Sequence, residues 1–316
     1  MTTTNKKRKL LVLLGPTAVG KTGLSLDLAA AYEAEIISGD SMQVYRGMDI
    51  GTAKITSEEM KGIPHHLIDI HDPDFPFSAA EFQEQARKAI QDISDRGKLP
   101  FIVGGTGLYI ESLCYGFQFS EAVADEAFRK VQDDYAEEHG ALALHARLEA
   151  VDPISAARLH PNDRRRIIRA LEIHHQTDTT LSSSHAAQTK ESPYDLCIIG
   201  LTMDRKILYK RIEDRIDLML ADGLVDEVKT LLERGYGRGL VSMQGLGYKE
   251  IAAYLEGETT YEEAVTLLKR DTRRFAKRQL SWFRHMKEIE WIDVDEAKDS
   301  SDIFEKVRDI ITKKFS

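Results

Sequence analysis

A glycine-rich segment after the first predicted strand has the residue types and spacing that hold phosphate groups. Residues 15–22 read GPTAVGKT and fit the pattern G-x-x-x-x-G-K-[ST]. Glycines let the backbone wrap closely around an anion, and the N–H groups at the start of a helix supply fixed positive potential. Lys21 would contact an outer phosphate, and the Thr22 hydroxyl would bind Mg²⁺. The motif predicts a phosphate group without defining its carrier; the alternative is a strand-to-helix turn that binds nothing.

Polar residues follow two further predicted strands. Asp40 comes after the apolar segment 35–38, and residues 104–107 read GGTG after the segment 101–103. Ligands of an open parallel sheet bind beyond the carboxyl ends of its strands, so both segments are expected to share one crevice with the phosphate loop. Gln43 could read the edge of a base there. Turn chemistry explains the same residues without a ligand, because Gly-Asp-Ser commonly forms an Asx turn.

Two basic tracts stand out in an acidic chain. The chain holds 43 Lys or Arg against 52 Asp or Glu, with a net charge of −9. This balance argues against a uniformly basic nucleic-acid binder but not against local basic surfaces. Residues 269–287 carry eight Lys or Arg and one acid, and residues 164–169 carry four Arg. Both tracts suit a phosphate backbone; a solvated helix face is the alternative for each. The C-terminal tract also has an apolar stripe expected to face the core, formed by Leu268, Phe275, Trp282 and Met286.

Composition excludes several classes of protein. The two cysteines, Cys114 and Cys197, are too few for a disulfide framework or a multi-cysteine zinc module, and they favour a reducing cytosol. No run of 18 or more apolar residues is present, so no membrane-spanning helix is expected. Adjacent histidines at 65–66 and 174–175 do not face one metal site. A length of 316 residues suits roughly two domains.

The hydrophobic pattern predicts the elements that position these residues. Strands are expected at 9–14, 35–38 and 101–103, and helices at 22–32 and 77–93. Strands that alternate with helices indicate a parallel sheet covered on both faces. The predicted fold class is therefore α/β, a doubly wound parallel sheet core that contains the phosphate loop.

The pattern changes after this α/β segment. Residues 120–190 are nearly all helix-like, except for a loop predicted at 177–193, and we interpret 120–195 as a helical insertion into the core. A strand at 196–201 then returns to the sheet. Further helices are predicted at 204–221, 224–234, 247–255 and 261–286. The predicted organisation is a first core segment at 1–119, the insertion at 120–195, and a return to the core at 196–316 with one strand plus C-terminal helices.

Five sequence blocks make the chain resemble the tRNA dimethylallyltransferase family, also called tRNA isopentenyltransferases. The blocks are GPTAVGKT at 15–22, DSMQVYRGMDIGTAK at 40–54, GGTGLY at 104–109, HPNDRRRIIRALE at 160–172 and GLGYK at 245–249. They match in register over most of the chain. Longer eukaryotic relatives carry a C-terminal zinc finger, for which this chain lacks the cysteines, so it resembles the bacterial form.

The resemblance implies transfer of a dimethylallyl group from dimethylallyl diphosphate to N6 of the adenosine 3′ of the anticodon, in tRNAs that read codons beginning with U. It implies that Asp40 is the general base, that Thr106 lies near the transfer site and that Arg215 contacts the diphosphate. Mg²⁺ is the implied cofactor, with Thr22 as its protein ligand. The implied diphosphate-binding residues are Gly15, Thr17, Ala18, Val19, Gly20, Lys21, Thr22 and Arg215.

The resemblance also implies a tRNA-binding surface. The helical insertion is expected to grip the anticodon stem-loop, and the enzyme is expected to act as a cytoplasmic monomer without a membrane partner. The implied tRNA-binding residues are Asp40, Ser41, Met42, Gln43, Thr106, Arg129, Arg165, Arg166, Ile167, Ile168 and Arg169.

The chemistry of these residue types agrees with that activity. Adenine N6 is a poor nucleophile because its lone pair is delocalised into the ring, so a carboxylate must take its proton while a cationic cradle stabilises the departing diphosphate. Three alternatives remain: an adenylate isopentenyltransferase acting on free AMP, ADP or ATP, a small-molecule or nucleotide kinase, and a non-catalytic tRNA-binding module. The arginines at 164–169 disfavour the first, the lack of a separate acceptor motif disfavours the second, and the phosphate loop disfavours the third.

Overall fold

The computed structural model describes residues 7–120, 122–188 and 191–316. The chain divides into two compact units. Met1–Cys114 together with Ser192–Ser316 form the first, which we call the sheet unit, and Tyr115–Glu191 form the second, which we call the helical unit. Across the described ranges, no helix combines the length and apolarity that crossing a membrane requires.

Within the described residues, the sheet unit is built on a six-stranded parallel sheet with the strand order β3-β2-β4-β1-β5-β6. Its strands are β1 Arg8–Leu14, β2 Ala34–Gly39, β3 His65–His66, β4 Leu99–Gly104, β5 Tyr194–Thr202 and β6 Ile289–Asp293. Residues 10–14 of the central strand β1 are fully buried. A strand covered on both faces needs a continuous apolar run instead of an alternating one, which is what this segment supplies. The predicted α/β class is confirmed.

Three helices lie between β1 and the helical unit. They are α1 Lys21–Tyr32, α2 Ala79–Asp95 and α3 Gly107–Tyr115. The Ser78 hydroxyl caps α2 by accepting a hydrogen bond from the Glu81 N–H at 3.2 Å, and the buried face of α2 includes Phe82, Ala86 and Ile90. α3 is not predicted from the sequence, because GGTG indicates a turn, whereas the helix begins at the last of those four residues.

The helical unit contains α4 Glu126–His139, α5 Ala141–Val151, α6 Pro153–Ala156, α7 Arg164–Thr177 and α8 Leu181–Ala186. The loop prediction for 177–193 is wrong in part, because α8 forms inside it. Thr180 and Ser183 cap that helix reciprocally, each side chain accepting from the other's backbone N–H at 3.1 and 3.2 Å. A polar, serine-rich segment can therefore be helical when its hydroxyls satisfy the first turn.

The C-terminal part of the sheet unit contains α9 Arg205–Ala221, α10 Leu224–Glu233, a 3₁₀ turn Ser242–Gln244, α11 Tyr248–Leu255, α12 Tyr261–Phe283 and α13 Ser300–Phe315. The prediction of one strand in this part is wrong, because β6 joins the sheet beside β5, with Ile289 paired to Ile198. β6 is an edge strand in which Glu290 and Trp291 are exposed. Its weak apolar pattern explains why the sequence does not indicate it.

The buried face of α12 differs from the predicted stripe. Leu268 and Met286 are buried as expected, but Trp282 is 37% exposed and Phe275 is only half-buried. The buried side chains of the helix are Ala264, Leu268, Ala276, Gln279 and Phe283. α12 packs against α9 and α11, and contacts with these helices determine which of its side chains are buried. The buried positions therefore do not follow the seven-residue spacing of Leu268, Phe275 and Trp282.

Candidate active site

Three strand ends meet at one edge of the sheet. The last residue of β4, Gly104, pairs with Leu14 of β1 on one side and with Gly39 of β2 on the other. The Thr106 N–H also donates to the Gly39 carbonyl oxygen at 3.1 Å. The segments after these strands, namely the phosphate loop, the Asp40 loop and the turn that carries Thr106, therefore start side by side, as the strand-end argument predicts.

The phosphate loop has a backbone that requires glycine at its entrance. Gly15 has φ +153°, and a Cβ there would lie 2.7 Å from the Leu201 carbonyl oxygen of β5. Gly20, at φ +106°, precedes the first turn of α1. The Lys21 ammonium bends back and donates to the carbonyl oxygens of Gly15 at 2.9 Å and Pro16 at 2.8 Å. The loop is thus closed by its own lysine, with a helix N-terminus at its exit.

Two cations and one carboxylate define the electrostatics of this edge. Burial and the charge of Arg215 together lower the pKa of Lys21 to about 7, against the opposing charge of Asp40. Burial also lowers the pKa of Arg215, which extends from α9, and Asp40 again opposes the shift. The two cations repel each other and only one acid offsets them. An anionic ligand here would relieve that repulsion and restore the charge on Lys21.

Asp40 forms the Asx turn that its sequence context suggests. Its Oδ1 accepts from the Met42 N–H at 2.8 Å. Within the described residues, Oδ2 has no hydrogen-bond partner, so one oxygen shapes the loop and the other remains able to accept a proton. The turn and a role as a base are therefore compatible.

Thr106 and Gln43 are engaged within the protein. The Thr106 Oγ1 accepts from the Ser41 N–H at 3.1 Å and lies 3.4 Å from the Ser41 hydroxyl, which links the turn after β4 to the loop after β2. The Gln43 amide accepts from the Ser38 hydroxyl at 3.0 Å and donates to the Thr52 carbonyl oxygen at 3.3 Å. Both contacts hold the loop that follows Asp40, and Met42 lies half-buried beside them.

Glu227 anchors that loop from α10, a role that sequence reasoning missed. Its carboxylate accepts from three successive backbone N–H groups, those of residues 49–51, at 2.7 to 3.1 Å. It also accepts from the buried Tyr248 hydroxyl at 2.6 Å. Tyr248 lies in the GLGYK block, which the sequence did single out. That Tyr248 helps to hold residues 49–51 follows only from its hydrogen bond to Glu227.

Gln279 of α12 is a second residue that the sequence did not indicate. Its side chain is buried between the phosphate loop and the turn after β4. One glutamine inside a basic helix fits no motif, so no local signal marked it.

Thr22 lies exposed in the first turn of α1. Among the described residues, no group of three or more His, Cys, Asp or Glu could hold a metal ion. Mg²⁺ usually keeps several waters and takes one or two protein oxygens together with phosphate oxygens. A single hydroxyl beside an anion cradle fits that mode of binding, and Thr22 as the metal ligand stays a prediction.

In the helical unit, two of the arginines expected to touch tRNA bind a buried acid. Glu172 is fully buried, and Arg129 donates to it from Nε at 2.9 Å and from Nη2 at 3.1 Å. Arg169 donates to the same carboxylate and, at 3.0 Å, to the Ala122 carbonyl oxygen. These two guanidiniums therefore hold α4, α7 and the preceding segment together.

Ile167 and Ile168, also expected to touch tRNA, have side chains that face inward. Both are buried in the helical core, with exposures of 0% and 5%, so their contact with tRNA stays a prediction. Arg165 and Arg166 lie on the outward face and are exposed, with Arg166 3.3 Å from Asp163. They are the members of this tract that remain available to a ligand.

The basic tract on α12 also divides into paired and exposed groups. Lys269 pairs with Asp217 at 2.6 Å and Arg273 pairs with Glu213 at 2.5 Å, both acids on α9. Towards the C-terminal end of the helix, exposed bases without an acid partner in the described chain are Lys277, Arg278 and Arg284. The surface available to a polyanion is therefore smaller than the sequence count suggests.

The family model described as IPP transferase matches residues 43–286. The chain belongs to the IPP transferase family. Membership of this family makes it a prenyl-transferring enzyme, so the resemblance noted in the sequence is confirmed.

Named relatives cover nearly the whole chain. The tRNA dimethylallyltransferase of Bacillus mycoides is 53% identical over 298 residues, covering 94% of both chains. That of Geobacillus thermodenitrificans is 51% identical over 290 residues, covering 92% of both. Among solved structures, the full-length tRNA isopentenylpyrophosphate transferase of Bacillus halodurans has a TM-score of 0.72 and 49% identity, with 98% of both chains covered. A eukaryotic dimethylallyltransferase acting on tRNA has a TM-score of 0.80 and 31% identity, covering 97% of this chain and 80% of its own.

Proposed function

We propose that this IPP transferase moves the dimethylallyl group of dimethylallyl diphosphate to N6 of the adenosine 3′ of the anticodon, in tRNAs that read codons beginning with U. The observation that carries the proposal is the confinement of Lys21, Arg215 and Asp40 at one edge of the sheet. This arrangement supplies a cationic site for a diphosphate and a carboxylate for a proton. Both are needed for alkyl transfer to an amine.

The reaction balances with these groups. N6 attacks the C1 carbon of the dimethylallyl group, the C1–O bond breaks, and its electron pair leaves with the diphosphate. Asp40 takes the proton that N6 loses, through the carboxylate oxygen that the Asx turn does not use. Lys21, Arg215 and the N–H groups of the phosphate loop stabilise the charge that develops on the leaving oxygen. Thr22 would hold Mg²⁺ beside the loop, and the ion would supply further stabilisation of that charge.

The tRNA-binding role belongs to exposed bases on two helices. Arg165 and Arg166 on α7, Lys277 and Arg278 on α12, and Arg284 directly after α12 can approach a phosphate backbone because buried acids do not hold them. The target adenosine must leave its stack to reach a crevice, which costs least in an unpaired loop. We therefore propose the anticodon stem-loop as the bound element, with the helical unit as part of its binding surface and the enzyme acting as a cytoplasmic monomer.

One assay separates this function from its alternatives. The protein is incubated with Mg²⁺ and labelled dimethylallyl diphosphate together with unmodified tRNA or with AMP, and separately with γ-labelled ATP and a small alcohol acceptor. Label on the adenosine next to the anticodon supports the proposal. Label on AMP with none on tRNA would instead identify an adenylate isopentenyltransferase, and phosphate transfer from ATP would identify a kinase.

A further inference from the structure

The Gln279 side chain joins two of the segments that meet at the strand edge. Its Oε1 accepts from the Thr17 N–H of the phosphate loop at 2.9 Å. Its Nε2 donates to the Gly105 carbonyl oxygen, in the turn that leads to Thr106, at 2.9 Å. The residue is 6% exposed, so both bonds are shielded from water. One amide thus sets the separation between the loop that holds the diphosphate and the turn beside the acceptor.

The turn is built around this amide. A Cβ at Gly105 would lie 2.3 Å from the Gln279 Nε2 and 3.4 Å from the Gly15 carbonyl oxygen. The turn therefore approaches both the amide and the phosphate loop more closely than any side chain at position 105 would allow. The same turn carries Thr106, which bonds to Ser41 in the loop of Asp40. A displacement at Gln279 would reach the Asp40 loop through this chain of hydrogen bonds.

We propose that Gln279 is a positioning residue that fixes the distance and angle between the leaving diphosphate and the acceptor amine. The role rests on the proposed function. Gln279 acts through Thr17 and Gly105 and does not touch the reacting atoms. In-line displacement depends steeply on alignment, and a misplacement of about 1 Å can cost about a hundredfold in rate. Loss of the two Gln279 hydrogen bonds should therefore slow the chemical step more than it weakens the binding of either substrate.

The opposite directions of the two Gln279 hydrogen bonds provide a specific test. The residue must present an acceptor to Thr17 and a donor to Gly105. In Gln279→Glu, the ionised carboxylate can still accept from Thr17 but repels the Gly105 carbonyl oxygen. The protonated carboxylic acid restores both bonds, because its hydroxyl donates where the amide did. The variant should therefore recover towards wild type as the pH falls, whereas Gln279→Leu, which has neither group, should not.

The experiment measures the single-turnover rate of dimethylallyl transfer to tRNA between pH 5.5 and 8.5, at saturating substrates. At pH 8 we expect about a tenfold to hundredfold lower single-turnover rate for both variants, and in separate steady-state measurements KM for dimethylallyl diphosphate should change less than kcat. The ratio of Gln279→Glu to wild type should rise as the pH falls, and that of Gln279→Leu should stay flat. Lys21, Arg215 and Asp40 are common to all these proteins, so the ratio isolates position 279.

Gln91→Glu serves as the matched control, because it makes the same chemical change on the exposed face of α2. Its rate should equal that of wild type at every pH. Wild-type rates in Gln279→Leu, or a ratio for Gln279→Glu that does not change with pH, would overturn the inference. If the wild-type chain itself transfers no dimethylallyl group to tRNA, the proposed function fails instead, so the two failures are distinguishable.

Discussion

The ionisation of Lys21 links the diphosphate site to pH. Burial and Arg215 lower the pKa of Lys21 to about 7 in the free protein, and a bound diphosphate would raise it again. Binding therefore takes up a proton, and affinity should fall as the pH rises above about 7, by up to tenfold per pH unit. Calorimetric titration with inorganic diphosphate from pH 6 to pH 9 measures this dependence.

Lys21→Arg is the reference for that titration, because arginine keeps its charge across the whole pH range. The diphosphate itself titrates in the same way with both proteins, so its own protonation cancels in the comparison. The affinity of wild type relative to this variant should decline between pH 7 and pH 9. A constant ratio would show that the lysine is already fully charged in the free protein, contrary to its burial beside Arg215.

Asp40 can be tested without disturbing its loop. Asparagine also accepts the Met42 N–H and preserves the Asx turn, but it cannot take a proton. We expect Asp40→Asn to lower the single-turnover rate by roughly 10² to 10⁴, and Asp40→Ala to lower it at least as far. KM for dimethylallyl diphosphate should hardly change in either. An Asn variant close to wild type in chemical rate would leave Asp40 with only its structural role.

At this scale, sequence reasoning located residues that end strands better than residues that come from helices. Asp40 and Thr106 follow strands, and the geometry of a parallel sheet brings strand ends together. Gln279 and Glu227 reach the same edge from helices whose approach depends on packing, which no local pattern encodes. The burial of Ile167 and Ile168 was also hidden, because a contiguous motif covers both faces of a helix and does not show which face packs inward.

At the scale of elements, α7 exposes Arg165 and Arg166 on one face and buries Ile167 and Ile168 on the other. Replacing Arg165 and Arg166 by Ala should weaken tRNA binding and make its log–log salt dependence shallower by up to about 0.7 to 0.9 per lost phosphate contact. Diphosphate binding should be unaffected. Filter binding of tRNA between 50 and 300 mM salt, over which the Debye length falls from about 14 Å to about 6 Å, measures the slope.

The control for this series is Lys88→Ala, which removes an exposed base from α2 in the sheet unit. Its salt slope should match that of wild type. Arg169→Ala is expected to behave differently from the outward pair, because it leaves the buried Glu172 with one partner fewer and destabilises the helices. If the double variant at 165 and 166 keeps the wild-type slope, the exposed face of α7 is only solvated.

At the scale of the whole molecule, we expect the acid stability of the helical unit to depend on Asp152. This carboxylate is 2% exposed and accepts from the Ser155 and Ser182 N–H groups, both at 3.0 Å. Burial raises its pKa, but these hydrogen bonds outweigh the burial and lower it to about 2. A folded pKa below the ordinary value of 3.8 adds stability that is present above that pH and is lost as the pH falls towards 2.

Asp152→Asn should therefore unfold more easily at pH 7, by about 1–3 kcal/mol, and lose less of its remaining stability between pH 5 and pH 2. Urea unfolding followed at several pH values compares the two proteins. If the free energy of unfolding fell equally with pH in both proteins, the acid-sensitive group would be a residue other than Asp152. Asp134→Asn, an exposed acid on α4 in the same unit, is the control and should match wild type near neutral pH.

The fold as a whole was predictable to the extent that it follows strand–helix alternation. The buried run of β1 and the alternating helices indicated the parallel sheet, whereas the edge strand β6 and the polar helix α8 did not stand out, because exposed elements need little apolar sequence. The meeting of Asp40 and Thr106 was predictable because both follow strands of one parallel sheet. The approach of Glu227 and Gln279 was not, because it depends on side-chain packing between helices.

The positions of Glu227 and Gln279 along the chain have a consequence for its synthesis. A nascent chain that has emerged from the ribosome up to residue 200 already contains Lys21, Asp40 and Thr106. The carboxylate that holds the Asp40 loop is residue 227, its tyrosine partner is residue 248, and the amide that joins the phosphate loop to the Thr106 turn is residue 279. The side chains that hold these segments together thus come later in the chain than Lys21, Asp40 and Thr106. A nascent chain shorter than residue 279 would lack the amide that joins the phosphate loop to the Thr106 turn.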